Sequence, residues 1–105
     1  MTLAQLEAFV LVARMGSVTA AARTLGVSEP AVSAAVAALR RQLGDGLVER
    51  GPGGMTLTPG GRRLVGIASQ MVALAAEAER AIRQAQGAPE RLRVVATATV
   101  AESIA

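Results

Sequence analysis

SVTAAARTLGVSEPAVSAAVAALRRQLG, residues 17–44, reads as two helices with almost no chain between them. Ser17 has the chemistry of an N-cap, and Val18, Ala21, Ala22 and Leu25 recur at helical spacing as the first helix's inner face. The alanine pair lets another helix cross closely. Gly26 supplies the positive-φ residue that ends this helix in one step. Ser28 is the next N-cap, with Pro30 in the first turn, where a missing N–H costs little. Val27 and Val32 have the spacing of a hydrophobic staple, which sets the angle of entry. Along the second helix Val32, Val36, Leu39 and Leu43 share one stripe. Pro30, Ala34, Ala37 and Arg41 lie opposite, with Glu29, Ser33 and Arg40 on one flank. An exposed face of such small residues fits a groove about 12 Å wide. The turn therefore reads as a device that holds one helix off the surface at a set angle.

Upstream, Leu3, Leu6, Phe9-Val10 and Ala13 predict an amphipathic helix over residues 2–15, ended by Gly16. Downstream, Leu47-Val48 and Met55-Thr56-Leu57 are strand-like runs around Gly51-Pro52-Gly53-Gly54, a small hairpin or wing. Thr58-Pro59 is a cap followed by an N1 proline and starts a long helix through Gln86. Leu64, Ile67, Ala68, Met71, Leu74, Ala75, Ala78 and Ile82 keep a three-four repeat along it. At roughly 42 Å this helix is too long to bury wholly on so small a domain, which favours a dimer seam. Its other face mixes Arg62, Glu77, Arg80 and Gln84, unlike a basic membrane-surface helix. Gly87-Ala88-Pro89 breaks the helix, and residues 91–100 alternate as a strand with no partner, the expected entry to a second domain.

Composition narrows the function. With 105 residues the chain suffices for one small domain plus an appendage. It has no Cys and no His, so the soft metal ligands, the thiol nucleophile and the imidazole base are absent. The carboxylates are scattered without ligand spacing. No enzyme, metal or cofactor is expected. The wing lacks the Gly-Lys-Ser/Thr ending of a phosphate-binding loop. No stretch reaches the ~20 apolar residues of a membrane span and no signal peptide is evident, so a cytoplasmic location is the default expectation. Every basic residue is Arg, and through residue 63 seven Arg face four acids, while the rest of the chain is balanced. An excess confined to the region of the two-helix turn suits an anionic partner.

These elements together resemble the amino-terminal part of a LysR-type transcriptional regulator. The resemblance is carried by LEAFVLVARMGSVTAAARTLGVSEPAVS at 6–33, LRRQLGDGLVER at 39–50, LTPGG at 57–61 and LRV at 92–94. It implies a mainly α chain with three parts: a winged helix-turn-helix (three helices and a β-hairpin wing) at 1–58, a dimerising linker helix at 59–86, and a hinge with the first strand of an effector-binding domain at 87–105. It further implies a homodimer on an interrupted palindrome in double-stranded DNA. Tetramers and a small-molecule co-inducer would belong to the longer protein. The chain departs from the family pattern at several positions: Glu29 for the usual Gln, Ala34 and Ala37 for polar or basic residues, Arg40 for a frequent Glu, and Gly53-Gly54 where an Arg often stands.

On this reading Ser28, Glu29, Pro30, Ala31, Ser33, Ala34 and Ala37 face the major groove. Alanine and proline can touch thymine methyls, and Glu29 can accept from cytosine N4 or simply favour the helix dipole. Ser17 and Thr19 can donate to a phosphate at the helix amino end, and Ser17 is equally a plain cap. Arg40 and Arg41 are either backbone clamps or cations at a helix carboxy end. Arg50, with Gly53 and Gly54 at the wing, is the foremost phosphate or minor-groove candidate. Two alternatives stand beside this one: a winged-helix module that binds protein, and a regulator of another winged-helix family lacking the strand at 91–100.

Overall fold

The computed structural model describes residues 1–87, so the strand expected at 91–100 lies outside the described residues. In chain order the elements are α1 (Leu3–Met15), α2 (Val18–Leu25), α3 (Glu29–Leu43), β1 (Val48–Gly51), β2 (Gly54–Leu57) and α4 (Pro59–Gln86). This is a winged helix-turn-helix followed by a long helix. By packing the chain divides into two units, with the division between Ala73 and Leu74.

Local chemistry sets the helix ends. Thr2 and Gln5 form a reciprocal capping box at the start of α1. Ser17 and Ser28 cap α2 and α3 by accepting from Ala20 N (3.1 Å) and Ala31 N (3.2 Å). Gly16, Gly26 and Gly44 end the three helices in the left-handed conformation. These stops leave a two-residue link, Gly16-Ser17, and a three-residue one, Gly26-Val27-Ser28.

The core forms where α1 is packed by both α2 and α3. Phe9, Leu6 and Val12 of α1, Ala21 and Ala22 of α2, and Val32, Val36 and Leu39 of α3 are all buried. α1 is less amphipathic than its spacing predicts. Ala8, Val10 and Val12 are buried along with Leu6 and Phe9, whereas Leu3 stays 42% exposed. The reason lies in the uninterrupted apolar run Ala8–Ala13, which lets a central helix take neighbours on several sides. In α3 the inner stripe ends at Leu39, and Leu43, one turn on, is 44% exposed at the helix end. Val27 is exposed and Val32 buried, and both line one shallow cleft beside α1.

β1 and β2 pair antiparallel with Val48 opposite Leu57 and Arg50 opposite Met55, closing through Pro52-Gly53. Leu47, expected to extend the first strand, instead has φ 65° and is buried. Its N–H donates to Asp45 Oδ1 (2.7 Å) and its carbonyl accepts from Thr58 N (3.0 Å), so the turn is tied on both sides while the side chain enters the core. Asp45 Oδ1 also accepts from the Thr58 hydroxyl (2.7 Å), and Thr58 Oγ1 accepts from Gly61 N (2.9 Å) as the N-cap of α4. One carboxylate thus links the end of α3, the wing and the first turn of α4. The opening turns of α4 belong to the same core, with Gly61 and Ala68 buried and Leu64 and Val65 packed against it.

Candidate nucleic-acid interface

Ser28, Glu29, Pro30, Ala31, Ser33 and Ala34 are exposed and Ala37 is half-buried. The amino-terminal face of α3 is therefore open, as its inward stripe of Val32, Val36 and Leu39 requires. Ser28's oxygen is occupied as an acceptor by the cap, leaving its hydrogen for a partner outside.

The start of α2 sits beside this face. Ser17 likewise accepts a cap bond and keeps its hydroxyl hydrogen. Thr19 does not: its hydroxyl donates to Glu29 Oε1 at 2.6 Å, a bond the sequence does not announce. Ser17, Thr19, Glu29, Arg50 and Gly54 line one cleft of about 400 Å³ between the helices and the wing. Arg50 is exposed there, and Gly53 lies exposed at the wing's tip. The cleft therefore brings the Arg50 guanidinium, the Ser17 hydroxyl and the amino end of α2 together with the Glu29 carboxylate.

Arg40 folds back, its Nε donating at 3.0 Å to the carbonyl of Gly46 in the loop that follows α3. Arg41 is exposed on the last turn of α3. Arg14, which the sequence does not single out, donates to Ser69 Oγ (3.0 Å), and Ser69 donates to the Val65 carbonyl (2.6 Å). Arg62 donates to the Leu57 carbonyl at 3.1 Å. Several arginines of the amino-terminal excess therefore brace the fold.

The residues expected at a dimer seam separate into two groups. Ala68 is fully enclosed in the protomer's own core, with Leu64 packed against it. Ile67 (57%), Met71 (39%), Leu74 (63%) and Ile82 (60%) are open to solvent, Ala78 is exposed and Ala75 half-buried. On a helical wheel Gly61 and Ala68 lie roughly 100° from Ile67, so α4 carries two apolar stripes, of which one is used internally.

The bonds from Leu47 N–H and then from the Thr58 hydroxyl hold the Asp45 carboxyl below the usual aspartate range. Among the described residues no group of three or more His, Cys, Asp or Glu could hold a metal ion, and no helix is long and apolar enough to cross a membrane.

Residues 3–62 match the family model described as "Bacterial regulatory helix-turn-helix protein, lysR family". The whole chain is 42% identical to the uncharacterized HTH-type transcriptional regulator Rv0377 of Mycobacterium tuberculosis, covering 33% of it. HTH-type transcriptional regulator BlaA of Streptomyces cacaoi is 38% identical over 91% of the chain and 29% of its own length. The chain thus spans about a third of the length of the curated relatives it matches. Among solved structures, the CbnR DNA-binding domain–DNA complex superposes with a TM-score of 0.70 at 35% identity, covering 82% of this chain and 99% of that one. The BenM DNA-binding domain on catB site 1 DNA gives 0.73 at 28%, covering 80% and 94%. The fold and site define a winged helix-turn-helix regulator domain. The chain belongs to the LysR family of bacterial regulatory helix-turn-helix proteins.

Proposed function

We propose that this chain binds double-stranded DNA as the reading module of a LysR-type transcription regulator, working as a homodimer. The amino-terminal face of α3 enters the major groove, where the first residues of a recognition helix meet base edges. Ser17 and Arg50 flank it on the phosphates, with the wing tip Gly53-Gly54 along the backbone or minor groove. Ile67, Met71, Leu74, Ala78 and Ile82 of α4 form the seam with a second copy, which puts two reading helices on a two-fold, interrupted site. Assembly of two dimers and response to a small co-inducer are proposed only for a chain of the relatives' full length.

The observation that carries this is the open face of α3 beside a cleft holding Ser17 and Arg50. The DNA complexes formed by similarly folded CbnR and BenM domains support it. Mobility shift of a duplex under increasing salt tests it. A shifted complex whose log affinity falls linearly with log salt is expected, and a protein that shifts no duplex even at low salt is not a DNA-binding module.

A further inference from the structure

We infer that Thr19 is a positioning residue for base readout: it holds the Glu29 carboxylate so that its free oxygen accepts from an exocyclic amino group, that of cytosine first. This deepens the DNA-binding reading and rests on it.

Glu29 is the first residue of α3, exposed, and its Oε1 takes the Thr19 hydroxyl at 2.6 Å. Oε2 is bonded to no protein donor among the described residues. A swinging carboxylate near phosphates is a liability, because it repels them and loses rotamer freedom on docking. One bonded to the neighbouring helix has one oxygen engaged and offers the other as the acceptor. Thr19 has a single hydrogen, and with that hydrogen on Glu29 it does not donate to a phosphate. Ser17, whose oxygen is the acceptor in its cap, keeps its hydrogen for that purpose. The two hydroxyls of α2's first turn therefore divide the work: Ser17 with Arg50 for the backbone, Thr19 through Glu29 for the base.

The carboxylate's chemistry selects the base. It has acceptors only, so it needs a base edge that donates. Cytosine presents its N4 amino group, whereas adenine sets the N7 acceptor beside its N6 amino group and repels the second oxygen. Guanine N7 and O6 and thymine O4 are acceptors and are disfavoured.

The test is selection from a random duplex pool by the wild-type chain and by Thr19→Val, Thr19→Ser and Glu29→Gln, with melting curves for each. The wild type is expected to enrich cytosine at one position of each half-site, roughly tenfold over the other bases. Thr19→Val should lose most of that preference while keeping its melting point. Thr19→Ser should retain the preference, and Glu29→Gln should abolish it. A Thr19→Val protein with undiminished cytosine preference, or a wild type that selects a site without one, overturns the positioning role and leaves DNA binding standing. A wild type that binds no duplex removes both.

Discussion

Gly61 lies directly against the carbonyl of Leu47, so that a Cβ at position 61 would overlap that oxygen and come within 3.0 Å of its carbon. The neighbours are backbone atoms of a buried, left-handed leucine tied at both ends, and they cannot retreat. Gly61→Ala should destabilise the domain by about 3 kcal/mol, the upper part of the range for overpacking. Gly66→Ala in the same helix is the control, since its Cβ would meet nothing within 4 Å. It should stabilise by roughly 0.5–1 kcal/mol. Chemical denaturation of the two variants checks the pair, and equal effects would remove the proposed close approach.

Asp45 gives the acid limb a definite sign. Its folded-state pKa is depressed by the Leu47 N–H and the Thr58 hydroxyl. The stability it contributes is fully present above the unfolded value of about 3.9 and is lost as pH falls through the lower folded value. Asp45→Asn should therefore melt below the wild type at neutral pH, and the two curves should converge below about pH 4. A gap that persists unchanged into acid would contradict this.

Arg50 is expected to contact phosphate, not a base. Arg50→Ala should weaken binding to every duplex and reduce the salt slope by about one. Arg40→Ala, removing a side chain already bonded to the Gly46 carbonyl, should instead lower thermal stability more than it lowers the slope. Anisotropy titrations over a salt series distinguish the two, and an unaltered slope for Arg50→Ala would exclude it from the interface.

The dimer proposed above places its seam on the solvent-facing stripe of α4, which two substitutions test. Met71→Asp or Leu74→Asp places a carboxylate in an apolar seam and should weaken self-association on the order of 100-fold or more. Sedimentation should then report monomers, with duplex affinity falling sharply alongside. Unchanged dimer mass would exclude this stripe as the seam.

Features written in local chemistry were legible in the sequence. Ser17, Ser28 and Thr58 cap, and Gly16 and Gly26 stop their helices, because each effect spans only a few residues. Features made by distant partners were not. Leu47 looks like strand because its run is apolar, yet its backbone is decided by Asp45 and Thr58. Ala68 shares a repeat with Met71 and Leu74, but a repeat of three and four cannot say which of two neighbouring stripes meets the chain's own core. The candidate site was legible as a set of positions on α3 and the wing, whereas the bond that joins Thr19 to Glu29 spans two helices and leaves no periodic trace.

The carboxylate knot at Asp45 has a mechanical result. Because Leu47, Thr58 and Gly61 are all fastened through it or beside it, the tail of α3 and the opening turn of α4 are bolted like a blade to its handle. Turning the first turn of α4 against the wing must first break the bonds that Thr58 makes to Asp45 and to Leu47.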